Sequence, residues 1–161
     1  MTIKSQLKFL NKIEEYFIGI GILAITVILF LNVVLRYVFN DSIEWAEEVT
    51  RYGIIWITFI GASVCIYKGA HLGIDTLILA LEKRGIKALT FIVRILTIVF
   101  SIVFLILSTQ ITMKIYGTGQ LSAVMRLPMY LVYAALPVSG FLMTLRFIQE
   151  FIEEFLVKKE K

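Results

Sequence analysis

At 161 residues, 59% apolar side chains and a mean hydropathy of +0.88, the chain carries more apolar surface than a soluble core of its size can bury, which places it in the membrane class. The formal charge of +4 does not make it a nucleic-acid binder, because the basic residues are spread along the chain and separated by long uncharged runs, so no stripe follows a phosphate backbone. A single cysteine, Cys65, excludes an intrachain disulfide and leaves structural zinc without a ligand set; inside an apolar run it is most simply a small filler.

The elements follow in chain order. Residues 1–14 form an amphipathic arm, with Ile3, Leu7, Leu10, Ile13 and Phe17 at helical spacing and Lys4, Lys8 and Lys12 on another face, suited to lying on the inner leaflet before the chain turns into the membrane. Residues 15–38 make the first span, uncharged over 16–35, too long for a signal-peptide core and without a small-residue cleavage site, and so retained. A turn at Asn40 and Asp41 leads to the second span, residues 44–67, with Asp41 and Glu44 at the spacing of a capping box. Residues 73–84 carry the apolar stripe Ile74, Leu77, Ile78 and Leu81, opened by Asp75 and closed by Gly85; the segment is too short to cross and fits a helix parallel to the surface. The third span is residues 90–114 and the fourth is residues 127–147. An amphipathic tail, residues 148–161, can extend the fourth span into the cytoplasm. The expectation is an all-α integral membrane protein, a single membrane domain over residues 1–161, with four transmembrane helices in one bundle and short amphipathic interfacial helices.

Orientation follows from the basic flanks. Lys4, Lys8 and Lys12, then Lys68, Lys83, Arg84, Lys87 and Arg94, then Arg146, Lys158, Lys159 and Lys161 fall on one side; Arg36, Arg51, Lys114 and Arg126 fall on the other. Twelve against four places both termini in the cytoplasm by the positive-inside rule.

The densest polar cluster lies on the outer side: Arg36, Trp45, Glu47, Glu48 and Arg51. Glu47 and Arg51 are four apart in the favourable order for an ion pair, and Arg36 leaves the first helix at the depth where it can meet Glu47 or Glu48 across a hairpin. Trp45, Tyr52 and Trp56 supply an interfacial belt. Two roles stay open for this cluster, a structural ion-pair network and the docking of a partner. His71, with Asp75 four residues on, is half of a metal site at most and reads as a hydrogen-bonded loop anchor. Gly61, Ala62 and Ser63 in the second span, and Pro137 and Gly140 in the fourth, are small or helix-breaking residues that let helices approach closely; Pro137 interrupts regular bonding at Tyr133.

Absence is informative too. An ion path places ionisable groups near the bilayer midplane, and these spans have none. Asn32, Thr58, Ser63, Ser101, Ser108 and Ser139 are mild polar groups of the kind that bond between helices. No paired acids, nucleophile or metal cluster share a depth, which argues against a membrane enzyme. No cofactor site is read in the chain.

Several blocks together resemble a known family: Arg36-Tyr37 closing the first span, Trp45-Ala46-Glu47-Glu48 with Arg51, then Trp56, Phe59 and Gly61-Ala62, His71 with Asp75, and Leu127-Pro128, Tyr133 and Pro137. In that order they resemble the small four-helix membrane subunit, DctQ-like, of tripartite ATP-independent periplasmic (TRAP) transporters. The resemblance implies a bacterial or archaeal inner-membrane subunit that pairs with a large multi-spanning subunit (DctM-like), which holds the substrate and coupling-sodium sites and moves as an elevator. It implies a periplasmic binding protein that delivers an organic acid, and a scaffolding role for this chain in the lipid bilayer. Without that resemblance the same residues describe a stand-alone four-helix membrane scaffold or sensor.

Overall fold

The computed structural model describes residues 3–67 and 83–156. Five helices make up nearly all of it: α1 (Ile3–Val38), α2 (Glu44–Tyr67), α3 (Lys83–Thr118), the short α4 (Met129–Tyr133) and α5 (Ala135–Leu156). Four stretches are long and apolar enough to cross a bilayer: Asn11–Val38, Glu44–Ile66, Phe91–Thr118 and Met129–Gln149, the last formed by α4 and α5 together.

Two expectations at helix ends are corrected. The N-terminal arm does not turn before entering the first span; α1 is one helix of 36 residues, because no proline occurs in it and its first glycine is Gly19. Gly85 does not close a helix. It lies inside α3, where a glycine costs only about 1 kcal/mol against alanine and the long helix-forming run that follows outweighs it. His71 and Asp75, and most of the expected interfacial helix over residues 73–84, lie outside the described residues.

Among the described residues α1 packs on α2, α2 on α5, and α5 on α3, so the spans of the bundle stand in a row in the order α1, α2, α5, α3. The edge helices meet their neighbours along narrow seams. On α1 the covered positions are Asn11, Glu14, Ile18, Gly21, Ile25, Ile28, Asn32 and Leu35, alternating steps of three and four. Such a seven-residue repeat keeps one thin stripe against a partner helix at a shallow left-handed crossing. The register is fixed by two reciprocal knobs: a Cβ on Gly53 would fall 2.5 Å from Ile25, and one on Gly21 would fall 2.9 Å from Ile57. Each glycine is the hole that receives the other helix's isoleucine.

The seam of α3 on α5 repeats the pattern with Ser101, Leu105, Ser108, Thr112 and Ile115. A Cβ on Gly140 would sit 3.2 Å from the Leu105 Cα, so side chain meets backbone where α5 and α3 cross. The buried serines do not bond between helices, as the sequence had suggested. Ser101, Ser108 and Ser139 each donate to a carbonyl three residues earlier on their own helix, at 2.8, 3.0 and 3.0 Å. Their contribution across the seam is small size.

Pro137 acts as expected. It has no N–H to offer Tyr133, and the helix is interrupted between Tyr133 and Ala135. The freed Tyr133 carbonyl accepts from the Thr112 hydroxyl of α3 at 3.2 Å, so a neighbouring helix satisfies the group that proline leaves bare.

Candidate functional site

The polar groups gather at the two ends of the row. At the end that carries both termini, the centre is Arg146 on α5. Its guanidinium donates to the Ser63 carbonyl of α2, to the Asn11 Oδ1 of α1 at 2.8 Å and to the Glu14 carboxylate of α1 at 2.5 Å. Arg146, Glu14 and Asn11 are 6%, 8% and 6% exposed. One planar fork of donors thus ties three helices together where little water reaches. The α1 repeat places Asn11 and Glu14 on the seam, in line with Ile18 and Gly21, and the last turn of the Met129–Gln149 span brings Arg146, midway along α5, to both. A second Glu14 oxygen, Oε1, and the Ser63 hydroxyl are buried without a hydrogen-bond partner among the described residues.

Of this cluster the sequence marks only Ser63, as a small residue and a mild polar group between helices. Arg146 looked like one more basic flank beyond the fourth span. Its burial takes it out of the count that orients the chain, and the remaining eleven against four leave the bias intact. A usable signal was present: Asn11, Glu14 and Asn32 are polar residues on a repeat that is otherwise apolar or glycine, the usual mark of a specific interhelical partner.

At the far end the predicted cluster divides. Arg36 and Glu47 approach to 3.9 Å across the α1–α2 hairpin, with side chains 65% and 61% exposed. Trp45 and Arg51 are also exposed. Glu48 turns the other way and is 8% exposed. Its carboxylate accepts from the Tyr52 hydroxyl at 2.7 Å and from the backbone N–H groups of Ala123 and Met125 at 3.2 and 2.7 Å. Neighbouring residues on a helix point about 100° apart, which is how adjacent acids come to serve the surface and the interior.

The loop that Glu48 holds joins α3 to α4 and is a small closed hairpin. Ser122 N–H donates to the Leu127 carbonyl at 2.8 Å, Met129 N–H to the Gln120 carbonyl at 2.9 Å, and Leu127 N–H to the Ser122 hydroxyl at 3.0 Å. The α1–α2 turn has its own anchor in Asn32, buried at 5% exposure, whose Oδ1 accepts from the Ile43 N–H at 2.8 Å. Since α2 begins at Glu44, Ile43 stands at the position just before it. The expected capping box of Asp41 and Glu44 is therefore displaced, and Asn32 satisfies that amide from the preceding helix.

The close-packing residues divide in the same way. Gly140 makes the tight crossing on α3, whereas a Cβ on Gly61 would stand 3.9 Å from Ile18, ordinary contact distance. Gly61 and Ala62 are half-buried and Ser63 is fully buried. Cys65 faces outward instead of filling the interior. Between the two polar ends, the described middles of the spans contain no Asp, Glu, Lys, Arg or His. The arrangement holds helices and loops in place and offers no path for charge.

The family described as "Tripartite ATP-independent periplasmic transporters, DctQ component" matches residues 25–157. The chain is 32% identical to the C4-dicarboxylate TRAP transporter small permease protein DctQ of Vibrio cholerae, over 88% of this chain and 71% of that one. It is 31% identical to the sialic acid TRAP transporter permease protein SiaT of Haemophilus influenzae, over 89% of this chain but 23% of that much longer protein. It is 26% identical to the ectoine TRAP transporter small permease protein TeaB of Halomonas elongata, over 84% and 69% of the two chains. The chain therefore belongs to the DctQ family, the small permease subunits of TRAP transporters, and is a multi-pass membrane protein of a transport system, not an enzyme.

Proposed function

We propose that this chain is the static scaffold of a sodium-driven TRAP uptake system, pairing with a large multi-spanning subunit that carries the substrate and sodium sites, while a periplasmic binding protein delivers an organic acid. The observation that carries the reading is the division of the spans. Their middles lack ionisable groups, and their ends are fixed by Arg146 on one side and by Glu48 and Asn32 on the other. A helix row fixed at both ends resists tilting, and gives a moving neighbour a surface that stays in place. The basic flanks support cytoplasmic termini by the positive-inside rule; in that orientation the far end, with Arg36, Trp45 and Glu47 exposed, faces the binding protein. The substrates in the relatives' names differ: dicarboxylate, sialic acid and ectoine.

The test is purification of the tagged chain from native membranes in mild detergent, with mass spectrometry of what remains bound. A large multi-spanning protein at near-equal amount, followed by sodium-dependent uptake that needs both chains and the binding protein, is the expected result. A chain that purifies alone, stable and monodisperse, would favour a stand-alone four-helix membrane protein.

A further inference from the structure

Among the described residues the two edges of the row have no helix beside them, and they differ in chemistry. Opposite its seam on α2, α1 presents Tyr16, Leu23, Val27, Phe30 and Tyr37, all exposed, with the two tyrosines at 67% and 79%. The tyrosines stand 21 positions apart, about 31 Å along the axis, which matches a hydrocarbon thickness of about 30 Å. Tyrosine is enriched at both membrane interfaces, and the polar residue on this face between the rings, Thr26, turns its hydroxyl back to the Ile22 carbonyl of its own helix at 2.8 Å. That edge suits lipid.

Opposite its seam on α5, α3 presents a different stripe. Val99 and Val103 are followed by Gln110, exposed and without a hydrogen bond among the described residues. Gln110 lies two positions after Ser108 and two before Thr112, both on the seam, so it points almost directly away from α5. At the outer end of this helix Tyr116 packs edge-on to Tyr130, with ring centroids 5.1 Å apart, at the level an interfacial aromatic occupies. Gln110 is six residues deeper, about 9 Å into the hydrocarbon. Its amide offers two donors and an acceptor where lipid has none to return. Two turns further on, a Cβ on Gly117 would meet nothing within 4 Å, so the backbone there is open to close approach.

We propose that the α3 edge, centred on Gln110, is the surface on which the large membrane subunit packs, with Gln110 hydrogen-bonded to one of its helices, and that the α1 edge is left to lipid. The inference rests on the reading of this chain as one part of a two-part permease. A partner subunit is the occupant, and not a second copy, because in SiaT a segment like this one forms 23% of a single longer permease polypeptide, which sets one such segment beside one larger body.

The experiment uses the complex in its native membranes. The photoreactive residue benzoylphenylalanine is placed singly at positions 103 and 110 on α3, and at positions 23 and 27 on α1. After irradiation, adducts of the tagged chain are identified by mass spectrometry. The expected result is capture of the large subunit from positions 103 and 110, and lipid adducts or none from 23 and 27. Alongside, Gln110→Leu should lower the amount of large subunit retained in detergent by about threefold, the scale of an interhelical hydrogen bond in a membrane. Capture of the large subunit from the α1 positions alone, or of only lipid or a second copy from position 110, would overturn the assignment of the edge while leaving the partnership standing. Absence of any large membrane chain from the wild-type purification would remove the functional reading itself, and this inference with it.

Discussion

The two ends of the row use similar residues for different purposes. At the terminal end a single buried guanidinium joins α1, α2 and α5, so the cluster fixes helices relative to one another. At the far end Asn32 holds the α1–α2 turn, Glu48 holds the α3–α4 loop, and Arg36 with Glu47 stays in the open. The lesson is that a charge's energetic weight follows its burial and its reach in sequence, not its place in a dense cluster. Five of the charged or aromatic residues nearest the hairpin drew attention in the sequence, yet the larger mechanical role falls to an arginine that looked like an ordinary flank.

Replacing Arg146 should give the largest effect. Arg146→Met leaves the Glu14 carboxylate buried without its partner, which destabilises by about 3–5 kcal/mol, seen as a lower unfolding midpoint in detergent. Adding Glu14→Leu removes the stranded charge and should recover most of the loss. If the single variant unfolds where the parent does, the three-helix tie is not holding the row. Next in size is Gly140→Leu, whose side chain must displace α3 where Leu105 Cα already stands 3.2 Å from the built Cβ; about 1–3 kcal/mol is expected, and clearly less for Gly140→Ala. Equal losses for the two variants would show that α5 and α3 do not cross at Gly140. Smaller and more local is Glu48→Gln, which keeps one oxygen as an acceptor and turns the other into an amide donor facing either the Met125 or the Ala123 N–H. Hydrogen exchange at the Ala123 and Met125 amides should quicken while the unfolding midpoint moves little. A global loss without faster exchange in that loop would contradict the strap.

The parts legible in the sequence are those set by local pattern. Uncharged runs of spanning length show the four helices, and Pro137 shows the interruption near Tyr133. The pairing order was not legible, because short connections fit a closed bundle as well as a row. The seam positions do carry a signal, since Asn11, Glu14 and Asn32 share a seven-residue repeat, but the apolar residues Ile13 and Phe17 on the exposed face hid it. Within the outer cluster the sequence gathered the right residues without separating them. Glu47 and Glu48 are chemically identical, and what distinguishes them is a loop some 75 residues away in the chain whose free amides only the fold brings to one of the two.

Arg36 and Glu47 sit 3.9 Å apart with most of both side chains in the open, so their pair contributes about 0–1 kcal/mol and less as salt rises. Glu47→Ala and Arg36→Ala should leave the unfolding midpoint almost unmoved. Glu47→Lys sets two cations against each other on a flexible surface and should also remain folded, since both can swing into water. That makes Glu47 the clean probe of docking, whereas Glu48, which straps a loop, is not: reversing it disturbs the loop before any partner arrives. If the far end receives the binding protein through this surface, Glu47→Lys should lower uptake in the intact three-part system while the complex still purifies whole, and the loss should shrink at high ionic strength as the introduced repulsion is screened. Uptake that stays at the parental rate would assign Arg36 and Glu47 to nothing more than the surface of the hairpin, and would move the search for the docking face to the tip of the loop that Glu48 holds in place, where Val124 and Met125 are exposed.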